Sequence, residues 1–311
     1  MKFSVLIPAY KSRFLHDAIV SVLSQTYHNF EIVIVDDCSP EDIKSIVDQF
    51  TDDRIRYYRN EINCGAENVV DNWNICLNYC TGDWVICMGD DDVLMPECLM
   101  VYSQLSASYP KVDLLHGRVR LIDENGQLIR ILEERPQLES AYSHIIGRLS
   151  MRNQYIGDFC FRRTRLVQEG GFYKLPFAWG SDDISAFMCC SPYGVANTNI
   201  PVFCYRMNSF TISSSKNTEK KLVALNQEEQ WLRAFVHKQC PSTELEREEL
   251  KYLNNRIRKG IDLARYSTLE NELCGSIWNL PRCIKIGRKQ HVSTIVYFRI
   301  IANYLQKIIF S

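Results

Sequence analysis

Short apolar runs alternating with amphipathic stretches fill the first hundred residues of the chain. Phe3-Ser4-Val5-Leu6-Ile7 is a β-rich run stopped by Pro8. After Lys11, the positions Leu15, Ala18, Ile19, Val22 and Leu23 recur on one face of a helix. Phe30 to Val35 predicts a second strand that ends at Asp36-Asp37, and Cys38 to Asp42 predicts a turn into a helix running through Phe50. Arg54 to Tyr58 predicts a third strand, Asn63 to Tyr79 a helix, and Trp84 to Met88 a fourth strand. This alternation predicts an α/β fold with a parallel sheet covered on both faces. Ligands of such sheets gather at the carboxyl ends of strands. Tyr10, Asp37 and Asp90 to Asp92 lie just past three such ends.

Beyond Pro96 the pattern predicts paired strands at Val112 to Gly117 and Val119 to Ile122, then a turn at Asp123-Glu124-Asn125-Gly126 before Leu128 to Leu132. Gly157 to Arg162 reads as a strand, Thr164 to Glu169 as a helix stopped by Gly170-Gly171, and Asp182-Asp183 as the opening of another helix. Apart from these strands and the turn, Ser103 to Tyr155 carries no readable code for chemical contacts. Ser213 to Asn217 is polar enough for a linker, which divides the chain into 1–215 and a helical region 216–311. Helices are expected from Glu219, from Thr243 to about Ala264, and at the end of the chain. There Ile295, Val296, Phe298, Ile300, Ile301, Tyr304, Leu305, Ile308 and Ile309 make a wide apolar face, opposite Arg299, Asn303, Gln306 and Lys307. With Arg282, Lys285, Arg288 and Lys289 upstream, this helix suits an anionic membrane surface; packing on the main domain or on a second protomer is the alternative.

Composition narrows the class. A chain of 311 residues, 46% hydrophobic with a formal charge of −1, fits one large domain with an appendage or two domains, and gives no sign of a nucleic-acid partner. The thirteen cysteines form no repeated C-x-x-C pair and sit mostly among apolar neighbours, which reads as reduced thiols in a cytoplasmic protein. The N-terminus shows no secretory signal pattern.

The chemistry begins with Gly89-Asp90-Asp91-Asp92, which follows an apolar run with no Lys or Arg beside it. Carboxylates so crowded are either solvated in a turn or share a cation, and a hard divalent ion with open positions can also hold a diphosphate. A dinucleotide fingerprint is missing, since the first loop reads Pro8-Ala9-Tyr10-Lys11-Ser12-Arg13, and no P-loop occurs. For a diphosphate, a metal and basic side chains would have to supply the compensating charge.

Ser4 to Tyr10, Ser21 to Tyr27, Glu31 to Ser39, Thr81-Gly82-Asp83-Trp84 and the Asp90-Asp91-Asp92 triplet with Pro96 together resemble the family 2 glycosyltransferases of the GT-A fold, of the bacterial surface-polysaccharide type. The resemblance implies a Rossmann-like, mixed but mostly parallel sheet with a helical C-terminal region. It implies that Pro8, Ala9 and Tyr10 pack on a nucleotide base, that Asp37 accepts from a base N–H such as uracil offers, and that Asn63, Gly65 and Trp73 belong to a segment lining the donor site. Asp37 as a helix-cap acid and Trp73 as core are the alternatives. Asp91 becomes the metal ligand, with Asp90 near ribose or metal. Many members carry Asp in place of Gly89, which leaves the division between Asp90 and Asp92 open. Asp182-Asp183 stands where the family has its acidic pair, with Asp183 at the position of the proposed base; a helix cap is the alternative. Tyr205 to Ser213 resembles the closing motif, with Arg206 toward phosphate, a surface ion pair being its alternative, and Asn208, where a His is common, toward the metal or phosphate through its amide oxygen.

These residues imply an inverting transferase that uses a nucleotide sugar, a uridine diphosphate sugar by preference, and Mn2+ or Mg2+. The acceptor is expected to be a glycan or a lipid-linked saccharide. A sugar nucleotidyltransferase and a non-catalytic sugar-nucleotide-binding subunit are the rivals, the first weakened by the absence of a glycine-rich basic loop after the first strand.

Overall fold

The computed structural model describes residues 1–208, 217–241, 243–273 and 276–309. Its strands are β1 (Phe3–Ala9), β2 (Phe30–Asp36), β3 (Ile55–Arg59), β4 (Trp84–Cys87), β5 (Val93–Leu94), β6 (Leu114–Ile122), β7 (Leu128–Ile131), β8 (Leu138–Glu139), β9 (Phe159–Arg162) and β10 (Val195–Arg206). Its helices are α1 (Leu15–Leu23), α2 (Ile43–Val47), α3 (Val69–Tyr79), α4 (Cys98–Ser108), α5 (Ala141–Leu149), α6 (Arg163–Gln168), α7 (Ser181–Cys190), α8 (Thr218–Lys238), α9 (Glu244–Leu273), α10 (Leu280–Lys289) and α11 (Thr294–Ile309).

One sheet runs β3-β2-β1-β4-β9-β6-β10-β5, with β7 on β6 and β8 on β10. The β3, β2, β1 and β4 strands are parallel, β6 and β10 are parallel to each other, and β9 enters antiparallel between β4 and β6. The expected mixed, mostly parallel sheet is therefore present. Side chains of β1 alternate between two cores: Phe3, Val5 and Ile7 pack with Leu15, Ile19 and Val22 of α1, while Leu6 joins Val70 and Leu77 of α3. Burying each such Leu or Ile contributes roughly 1.5–3 kcal/mol, which is why these runs cannot slip register without exposing their core residues.

The Thr81-Gly82 pair fixes the amino end of this sheet. Glu31, nearly buried, accepts from Ser4 Oγ (2.7 Å), Thr81 N (2.6 Å) and Lys2 Nζ (2.8 Å). A Cβ on Gly82 would stand 2.7 Å from Ser4 N, so only glycine lets the two chains approach.

Several expectations are corrected. The two strands expected at 112–122 are one, β6, because Gly117 makes no turn; its missing side chain leaves room for Val202 and Tyr102, which a Cβ would meet at 2.2 and 2.6 Å. The helix expected through Phe50 is the short α2, capped by Asp42 Oδ1 accepting from Ser45 N, and ends at Val47. The helix expected from Asn63 begins at Val69, after a 3-10 turn at Ala66–Asn68. Residues 213–216 of the expected linker, and with them the boundary after 215, lie outside the described residues.

The C-terminal helices share a core with the sheet domain: Ile145 and Leu149 of α5 and Phe187 of α7 pack with Leu222, Leu225, Leu253, Ile257 and Ile261. The last helix is not wholly committed to either expected role. Val296, Tyr297 and Ile300 of α11 are buried in this core, while Ile295 and Phe298 are 70% exposed and Leu305 is 52% exposed.

Candidate active site

The acidic triplet sits between β4 and β5, and each member meets a different environment. Asp90 Oδ2 accepts from the N–H groups of Tyr10 and Lys11 (2.8 and 2.7 Å), so it ties the loop after β1 to the loop after β4. Asp92 Oδ1 accepts from Arg206 N (3.0 Å) at the end of β10. Asp91 is partly exposed, and its Oδ2 accepts from Asn208 Nδ2 (2.7 Å). Burial, then the charge of Asp91 beside it, pushes Asp90 up to about 6 and Asp92 well above the ordinary carboxylate range. A Cβ on Gly89 would meet Asp91 Oδ1 at 2.8 Å and Asp92 Oδ2 at 2.9 Å, so the glycine leaves room for this crowding.

Arg206, expected toward phosphate, is instead buried behind the corner: Nε donates to the Asp91 carbonyl (2.8 Å), Nη1 to that of Glu124 (3.1 Å), and the guanidinium lies over Phe14. Its committed donors make it a brace for the triplet. Asn208 is next to the corner through Asp91, whereas residues 209–213 of the closing motif lie outside the described residues. The segment Ser21 to Thr26 is a second brace. Gln25 donates to Met95 O (2.8 Å) and accepts from Leu99 N (3.0 Å), while Leu94 N donates to Ser21 Oγ (3.2 Å).

At the neighbouring strand end, Asp36 is buried and accepts from Ser39 N, Tyr57 Oη and the Arg59 guanidinium. Asp37 accepts from Asn60 Nδ2 (2.8 Å) and from Cys64 N (3.0 and 3.2 Å), and Asn63 Nδ2 donates to its carbonyl (2.7 Å). These contacts hold the 60–65 loop against the sheet.

The second acidic group opens α7, after Gly180 in the left-handed conformation. Asp183 is 2% exposed; Arg148 Nε from α5 donates to both its oxygens (2.7 and 2.9 Å), and Gln154 Nε2 donates to Oδ1 (2.7 Å). Asp182 is partly exposed and, among the described residues, in direct contact with no cation; burial, then the charge of Asp183, pushes it up to about 7. Glu228 of α8 lies close to the same group and is also pushed well above the ordinary carboxylate range, by burial first and then by the charge of Asp183.

One cleft of about 700 Å³ joins these parts. Pro8, Tyr10, Asp37, Asn63, Gly65, Trp73, Asp90, Asp91, Asp92, Asp182 and Asp183 all line it. Ala9 is buried beneath it, and Trp73, 8% exposed, is core and lining together. Sequence reasoning missed Arg148, Gln154, Tyr155, Trp179 and Glu228, which line the same cleft. Gly180, whose positive φ fixes the turn that presents Trp179 and Asp182, was the available signal for part of this set.

Residues 4–165 match the model of Glycosyl transferase family 2. The chain belongs to that family. An Escherichia coli member, UDP-Glc:alpha-D-GlcNAc-diphosphoundecaprenol beta-1,3-glucosyltransferase WfgD, is 25% identical over 70% of this chain and 82% of its own length. A Haemophilus influenzae glycosyltransferase is 32% identical, but the match spans only 36% of this chain and 37% of that relative. The Bacillus subtilis putative glycosyltransferase EpsE is 33% identical over 54% of this chain and 64% of its own. Among solved structures, Staphylococcus aureus TarS 1–349 in complex with UDP-GlcNAc superposes with a TM-score of 0.67 at 16% identity, covering 99% of this chain and 92% of TarS 1–349. That likeness establishes the family 2, GT-A type of fold, helical C-terminal region included.

Proposed function

We propose that this family 2 chain is an inverting glycosyltransferase that moves a sugar from a nucleotide diphosphate donor, a uridine diphosphate sugar, to a hydroxyl of a glycan or lipid-linked saccharide. One observation carries the reading: a single cleft is lined both by the Asp90–Asp92 corner and by the Asp182–Asp183 pair. Inversion needs a carboxylate to take the acceptor's proton while the nucleotide leaves from the other face of the sugar, and two separated acidic groups divide that work. Asp183 is the base. Arg148 donates to both its oxygens, and among the described residues Oδ2 accepts from Arg148 alone, which leaves that oxygen room to accept from an acceptor hydroxyl. On the donor side, Pro8 and Tyr10 face the nucleotide base, with Asp37, Asn63 and Gly65 around them. The uridine preference rests on similarity, since WfgD is named for UDP-Glc and TarS is solved with UDP-GlcNAc.

No group of three or more His, Cys, Asp or Glu among the described residues is arranged to hold a metal ion unaided. The corner nevertheless fits a dication shared with a ligand: its donors are hard oxygens, its charge is uncompensated, and Mg2+ or Mn2+ commonly takes one or two carboxylates with the rest from phosphate and water. Asp91 would hold it, with Asn208 adjacent, while Asp90 and Asp92 keep the backbone around it in place. Bound there, it would offset the charge of the departing diphosphate.

We further place the acceptor side at a membrane surface. From residue 273 onward the chain has six Lys or Arg and no Asp or Glu. Exposed Ile295, Phe298 and Leu305 recur along one side of α11, and Trp278 is 89% exposed nearby in sequence. Arg282 and Lys289 pair with Glu272 and Glu219 of earlier helices; apolar anchors beside the remaining basic side chains suit an anionic lipid surface, and no described helix is long and apolar enough to cross a membrane.

The deciding experiment incubates the full chain with a panel of nucleotide sugars and Mn2+ and follows nucleotide release, with and without saccharide acceptors. Acceptor-dependent release from one donor, lost in Asp183→Asn with UDP binding intact, is expected. Binding without turnover in the unaltered chain would select the non-catalytic rival, and full turnover in Asp183→Asn would remove Asp183 as the base.

A further inference from the structure

Glu228 is 4% exposed, lines the cleft, and accepts no hydrogen bond among the described residues. Its carboxyl lies against the start of α7, where a Cβ on Gly180 would come within 3.0 Å of Oε2. Its oxygens are not sealed off from the cleft, so a ligand seated there can take the place of water on them. Around it the cleft continues past the acidic pair and is walled by the helical region: Gly260, Ala264, Ser267 and Thr268 recur on one face of α9. Gly260 brings that face close, since its Cβ would stand 2.7 Å from Leu149 Cβ. Trp179 supplies an aromatic surface at the same mouth, with Lys221 of α8 packed on it.

Small side chains that leave space, one aromatic face and a carboxyl open to the cleft make a site for a ring bearing adjacent hydroxyls. A free anion would be repelled by Asp182 and Asp183, and a purely apolar occupant would leave Glu228 unpaired.

We propose that this chamber, between α7 and the α8–α9 pair, is a pyranose subsite for the terminal sugar of the acceptor, with Glu228 as its hydroxyl ligand. The assignment rests on the transferase reading above and adds to it where the acceptor sits. Oxygen chemistry alone would also admit the sugar of the donor, and the two are separable.

The test uses the full chain loaded with UDP and Mn2+, probed by saturation-transfer NMR with a panel of methyl pyranosides, while calorimetry follows UDP itself. At least one pyranoside is expected to bind. Glu228→Leu is expected to weaken it at least tenfold, as is Ala264→Phe, which fills the chamber without touching Glu228; Glu228→Gln, which keeps a donor and an acceptor, loses less. UDP affinity is expected to stay within twofold in all three. Pyranoside binding unchanged in both Glu228→Leu and Ala264→Phe, or absent from the unaltered chain, overturns the subsite. Variants that instead lower the affinity for UDP-sugars relative to UDP place the donor's sugar there and overturn the acceptor assignment. A chain that fails to bind UDP at all refutes the transferase reading itself, which the calorimetry reports independently of the pyranosides.

Discussion

Arg148 Nε spans both oxygens of Asp183, at 2.7 and 2.9 Å, and so joins a helix that the family model covers to an acid that lies beyond it. Asp182 and Glu228 stand in the same electrostatic neighbourhood, and the charge of Asp183 raises the affinity of Arg148 for its proton. Arg148→Gln is expected to lower stability by roughly 2–4 kcal/mol, because it leaves an acidic group without its cation. Combining it with Asp183→Asn should recover a large part of that loss. Denaturant unfolding of the two single variants and the double variant checks this; additive effects would show that the pair is not coupled.

The raised pKa of Asp182 fixes the sign of a pH effect. Between its ordinary value of 3.8 and about 7 the folded chain holds a proton that the unfolded chain has released. Stability therefore declines as pH rises across that window, by an amount on the order of 2–4 kcal/mol from this group, less whatever solvent reaching it removes. Above the window its contribution is flat. Asp182→Asn is expected to unfold later than the unaltered chain at pH 7.5 and to lose that advantage at pH 4. Melting curves at the two pH values compare variant and parent, so the slope due to Asp92 cancels, and repeating the comparison in a Glu228→Gln background removes the part that passes through Glu228.

Gly89→Ala puts a methyl group where Asp91 Oδ1 and Asp92 Oδ2 now stand, at 2.8 and 2.9 Å. The carboxylates must turn away. A tenfold or greater rise in the Mn2+ concentration needed for half-maximal UDP binding is expected, with a stability cost of about 1–3 kcal/mol for overpacking. Metal titration by calorimetry in the presence of UDP reads the first, and an unchanged titration would mean that the corner is not the metal site.

Replacing Ile295, Phe298 and Leu305 by Glu together should abolish sedimentation with vesicles containing phosphatidylglycerol and leave UDP binding intact, since these side chains are exposed and far from any core role. Binding by the unaltered chain should weaken as salt rises, because part of it is electrostatic. Equal sedimentation of variant and parent would discard the surface.

What the sequence disclosed depended on how local the determinants were. The strands β1, β2 and β4 were legible because each is a nearly continuous apolar run buried on both faces, and the acidic corner because three adjacent carboxylates with no neutralising neighbour are conspicuous. Gly117 misled because a glycine needed for close approach by Val202 looks, in one dimension, like a turn. Arg206 misled for a related reason: a basic residue near an acidic site suggests phosphate, whereas here its donors are taken by backbone carbonyls. Arg148 and Gln154 were invisible because nothing in Ala141 to Tyr155 marks them out; their role exists only once α5 lies beside α7.

The face of α9 that closes the cleft comes from residues 260–268, almost a hundred positions beyond the stretch by which the family is recognised. Exchanging a few side chains on that one helix would re-cut the chamber while the strand ends that hold the acidic corner keep their shape. The acidic corner and this wall of the chamber thus belong to separate pieces of the polypeptide, which makes the helix the natural place to begin reshaping the proposed acceptor subsite.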